Sequence, residues 1–198
     1  MLKPTSTVYI CSLHLFAAAG GLFGGTSCAQ LEGTKPEAQL AYLQRDRKEL
    51  DGKCILFAIG HLGTEHYVSA SKTLVKYLDY PAPEDPRSGQ FFDHVPMLWN
   101  LYPASTALFS IGEATVPDIV AVIADAETSD LIRSNAILVL PGIYSERPPE
   151  GVAVVARAAS ELSKSDAVAG SRLWEAARKV AASCGDRHKT ECYAGLIQ

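Results

Sequence analysis

Three stretches bring side chains that bind metals or move protons close together in sequence. His61, Glu65 and His66 stand at the end of an apolar run. Helical histidine pairs that hold zinc are three or four residues apart, so that both imidazoles reach one ion. A spacing of five, with no third ligand nearby, predicts a surface turn instead. Asp93-His94 sets an acid beside a base, yet adjacent residues on a loop point apart, and no nucleophile accompanies them. Cys184-x3-His188-x3-Cys192 offers three zinc-ligand positions, for which Cys54 or a carboxylate would be the fourth. Zinc spacings begin with closer cysteine pairs, so this pattern predicts a Cys184–Cys192 disulfide across the polar loop 185–191, pinning the tail to the last helix. There is no Gly-x-Ser-x-Gly elbow, no phosphate-cradling glycine loop and no His-Glu-x-x-His. The patterns assign no catalytic residue, no metal and no cofactor, and they point away from an enzyme.

What remains is a candidate binding surface. Pro81, Pro83 and Pro86 forbid regular helix, and Gln90 to Val95 adds aromatic groups without helical spacing. The sequence therefore predicts an inserted loop at about 80–97. Phe91, Phe92, Met97 and Trp99, with Val95 and Leu98, form an apolar cluster of the kind that protein interfaces favour. The competing reading folds the same side chains back over the flank of the first helix pair.

The composition bounds the partner. Of 198 residues, 47% are hydrophobic and 20% charged, and the formal charge is -4. Acids and bases are interspersed, with no basic stripe to track a phosphate backbone, so nucleic acid is not expected. Lys3 precedes an uncharged run from Val8 to Phe23, and Ser27 and Ala29 place small side chains three and one residues before Gln30. This reads as a signal peptide over 1–29, which leaves a single domain over 30–198. The alternative makes Cys28 the first mature residue, acylated on sulfur, in which case the protein is a lipoprotein held at a membrane. Either reading exports the chain, to the periplasm or the medium. Under plain cleavage Cys54 is left as a buried small hydrophobe, although its pairing with another cysteine stays open.

The positioning elements are helices. Leu56-Phe57-Ala58-Ile59-Gly60, Leu108-Phe109-Ser110-Ile111-Gly112 and Leu138-Val139-Leu140-Pro141-Gly142 each close an apolar run with glycine and precede a second amphipathic run. Expected helices cover about 53–61, 65–79, 102–111, 116–123, 131–140, 148–162 and 165–183, behind a capping helix that Pro36 opens. Thr64 and Thr115 are the expected N-caps of the second helices.

Tyr102-Pro103-Ala104 through Ile111-Gly112, followed by Val116-Pro117-Asp118-Ile119-Val120, resembles a HEAT-like repeat, and the resemblance extends from about Lys53 to Leu162. It implies an all-α fold, a short right-handed stack of antiparallel helix pairs (an α-solenoid), and a protein that binds other proteins along its helices. The insertion, Pro141 and the missing glycine of the fourth unit depart from the pattern. The functional expectation is an exported, non-enzymatic binding module or scaffold with a protein partner, and with membrane contact only through a lipid on Cys28. The alternative is an exported enzyme or enzyme subunit with a site near the 80–97 insertion.

Overall fold

The computed structural model describes residues 28–82 and 101–197, within which the regular elements are all helical. A 3-10 turn, Cys28–Gln30, leads into α1 (Pro36–Leu43), where proline occupies a first-turn position that needs no N–H. A second 3-10 turn, Arg47–Glu49, precedes α2 (Gly52–Thr64). Asp51 caps α2: its Oδ1 accepts the N–H groups of Lys53 (2.9 Å) and Cys54 (3.2 Å).

Ile55, Ala58, Ile59 and Leu62 form the buried face of α2, as their helical spacing requires. The helix does not stop at Gly60 but runs on to Thr64. The reason is packing: a Cβ on Gly63 would lie 2.7 Å from the Cα of Ala107, so glycine there lets two helix backbones touch. Thr64 is consequently not a cap, and its hydroxyl donates back to the Gly60 carbonyl at 3.0 Å.

The continuous helix expected over 65–79 is also corrected. His66 takes φ 49°, a left-handed conformation uncommon for a residue with a side chain, and the chain restarts as a 3-10 turn, Val68–Ala70. A single α-turn, α3 (Ser71–Leu74), and a further 3-10 turn, Val75–Tyr77, follow. Ser71, Leu74 and Tyr77 stand three apart and all are buried, which suits a helix of three residues per turn.

Beyond residue 101 six more helices are described, the longest of them at 130–182. Those at 103–143 are α4 (Pro103–Ile111), α5 (Val116–Ala124) and α6 (Asp130–Ile143); α7 (Pro148–Leu162), α8 (Ala167–Ala182) and α9 (Lys189–Ala194) complete the chain. Gly112, at φ 86°, does end its helix. Gly142 and Pro141 lie inside α6, whose last turn continues past them. Thr115 precedes α5 but donates its hydroxyl to the Gly112 carbonyl (2.8 Å), leaving the α5 amides uncapped by it. Ser129 and Asp166 cap α6 and α8 through their side chains.

α2 packs on α4, and α4 on α6; α5 packs on α6 and α8, and α7 lies along α8, with α9 against both. Both helices bury many small residues, Ala156, Ala159, Ala169, Ala176 and Ala177, beside the larger Val152, Val155, Leu173 and Val180. Ile59, Leu62, Leu108, Ile119, Leu140 and Leu173 are fully buried within one core, each contributing about 1.5–3 kcal/mol relative to exposure.

Candidate functional site

Phe91, Phe92, Met97 and Trp99 lie outside the described residues, as do Asp93 and His94. The point where their segment joins the fold is described. The Ala82 N–H donates to the Leu101 carbonyl at 2.7 Å, so the two residues that flank 83–100 are tied to each other. Shortly before that junction Asp79 borders a groove of about 630 Å³ between the 72–79 segment, α5 and α6. Val75, Val122 and Ile132 give it apolar surface, and Asp79, Asp118, Asp125, Glu127, Lys72 and Lys76 also line it.

Arg47 ties this corner to the 47–49 turn. Its guanidinium lies over the rings of Tyr77 (5.3 Å to the centroid) and Tyr80 (4.8 Å) and bonds Asp79 at 2.8 Å. The Tyr77 hydroxyl donates to the Leu43 carbonyl at 2.8 Å. Burial pushes the Tyr77 phenol above its ordinary range, and the Arg47 charge acts in the opposite sense.

The two histidines are sent to different tasks. His61 stacks on Phe57, with ring centroids 6.0 Å apart, and stands 3.9 Å from Glu65. His66 instead meets the Ser110 carbonyl through Nδ1, joining the end of α2 to α4. Among the described residues the group of three metal-ligand types lying within 4.8 Å is Cys28, Asp51 and Cys54.

In that group the two sulfurs are bonded to each other. Cys28–Cys54 has an S–S distance of 2.09 Å, and the Asp51 Oδ1 beside it is engaged in capping α2. Cys54 is fully buried, but the reading of it as an unpaired small hydrophobe is corrected by this link. Cys184 and Cys192 form the second disulfide, at 2.04 Å, with His188 turned to Glu191 at 3.3 Å. The arrangement closes both ends of the described chain covalently and fits an oxidising environment.

The chain matches no family model, no curated protein and no solved structure. Its remaining polar clusters must be read from geometry. Arg133 donates to the carbonyls of Ile123 (3.2 Å), Asp125 (2.9 Å) and Thr128 (2.8 Å), and Arg172 to Ala124 (2.6 Å). Two cations from α6 and α8 thus close the carbonyl end of α5, where helix carbonyls lack partners and the dipole is negative. Sequence reasoning passes over both, because nothing local marks which arginine reaches a distant helix end. Arg147 similarly bridges Glu113 and Glu150, and its hydrogen bond to Glu113 raises its already high pKa. Among the described residues no single helix is long and apolar enough to cross a membrane.

Proposed function

We propose that the chain is an exported, non-enzymatic protein-binding module, a short right-handed stack of HEAT-like helix pairs that meets its partner through Phe91, Phe92, Met97 and Trp99. The bond between Ala82 and Leu101 carries this reading. The aromatic stretch is spliced between two residues that are already tied to each other, so the helical body meets at that junction whatever lies between them. Interfaces concentrate aromatic and methionine side chains, and the groove bordered by Asp79 combines apolar side chains with charged ones. The two disulfides support export. A periplasmic or secreted address completes the proposal.

The test is to replace 83–100 with a short Gly-Ser bridge, which the Ala82–Leu101 junction accommodates. The bridged protein is expected to keep its helical circular dichroism and cooperative melting while losing crosslinks to its partner in the cell envelope. A bridged protein that no longer unfolds cooperatively would place the aromatic stretch in the core and sink the reading.

A further inference from the structure

We propose that the exported chain keeps Cys28: processing ends at or upstream of the Ser27–Cys28 bond, and the Cys28 sulfur is committed to Cys54 rather than to a lipid. This rests on the export reading above. Three observations bind Cys28 into the fold. Its sulfur is joined to Cys54, which is fully buried in the first turn of α2. Its carbonyl accepts two backbone N–H groups, from Leu31 (2.8 Å) and Glu32 (3.1 Å). These seat Leu31 at 7% exposure in the core, where its own carbonyl accepts the Thr34 hydroxyl at 2.8 Å and the Gln39 amide at 3.4 Å.

Cleavage before Gln30 would remove the disulfide and the acceptor of both N–H groups in one step. A cut that preserves all of them is written in the same sequence: Gly25 and Ser27 place small side chains three and one residues before Cys28. Hydrolysis there adds one water, leaving a carboxylate on Ser27 and an amine on Cys28. A lipid on the Cys28 sulfur and the Cys28–Cys54 bond exclude each other, since a thioether or thioester needs the same valence as the disulfide. Closing the bond removes two protons and two electrons from the two thiols. They pass to the disulfide of a dithiol oxidase in the export compartment, which leaves as its dithiol.

The experiment is intact-mass and peptide mapping of the protein purified from its exported fraction, alkylated with iodoacetamide first without reduction and then after it. The expected chain begins at or before Cys28, takes up no alkyl group until reduced, and yields a Cys28–Cys54 crosslinked peptide. A chain beginning at Gln30 with one reactive thiol, at Cys54, overturns the proposal and leaves export standing. A lipid mass on Cys28, or a chain that keeps Cys28 but alkylates at Cys28 and Cys54 before reduction, overturns it equally. A chain beginning at Met1 with reactive thiols overturns both it and export.

Discussion

The two halves of the molecule are held by different means. From Cys28 to Ala82 the helices are short and interrupted, and order comes from particular links: Cys28–Cys54, Asp51 on α2, Arg47 between two tyrosines, and the Tyr77 hydroxyl on Leu43. From Asp130 onward three regular helices bury continuous apolar faces, and the disulfide is a local clip over the tail. The disulfides state the contrast in numbers. One spans 26 residues and the other 8, and loop-closure entropy makes them worth about 3.5 and about 2.5 kcal/mol. The long link therefore sits in the part where 3-10 turns interrupt the helical run.

The largest effect that would break this contrast is a reversal of that order. Cys28→Ser with Cys54→Ala is expected to lower the unfolding free energy by about 3 to 4 kcal/mol, and Cys184→Ser with Cys192→Ser by about 2 to 3 kcal/mol. Urea unfolding without reductant measures both; a larger loss from the second pair would contradict the account. Next comes Gly63→Ala, whose methyl meets the Ala107 backbone at 2.7 Å. It should cost about 1 to 3 kcal/mol by forcing α2 from α4, and an unchanged melting curve would show that the contact is slack. Tyr77→Phe removes one buried hydrogen bond, for a loss of about 1 kcal/mol in the same assay.

The smallest effect belongs to the regular half. Glu175 and Lys179 pair at 2.8 Å across one turn of α8, and that hydrogen bond holds the Glu175 carboxyl below its usual pKa. Both groups are largely exposed, so Glu175→Gln should cost only about 0.2 to 0.5 kcal/mol. A depressed carboxylate pKa gives stability that is present above the unfolded value and is lost as pH falls through the folded one. The variant and the parent should therefore converge in acid, which pH-dependent thermal melts will show.

The same division explains what could be read in advance. Pro103, Pro117, Pro148, Ser129 and Asp166 mark helix starts through local chemistry, and the structure places helices behind each. Gly60 and Gly142 misled because a glycine inside a helix and one after it look alike without the partner backbone. The 65–79 segment misled because a spacing of three serves α and 3-10 geometry equally. Cys184 and Cys192 are near neighbours across a polar loop, whereas Cys28 lies among residues that read as a leader, so its link to Cys54 had no local sign. Of the candidate site, the insertion that the prolines after Tyr80 predict lies outside the described residues; the Ala82–Leu101 bond and the groove bordered by Asp79 required the fold.

Binding through the insertion is the central claim, and one measurement meets it directly: a crosslinking capture from the cell envelope with the mature chain as bait. The Phe91→Ala, Phe92→Ala, Trp99→Ala triple variant, checked for unchanged melting, is the control. The account predicts that one protein is captured by the parent chain and lost by the variant. Equal capture by both, or no specific capture by the parent, contradicts it.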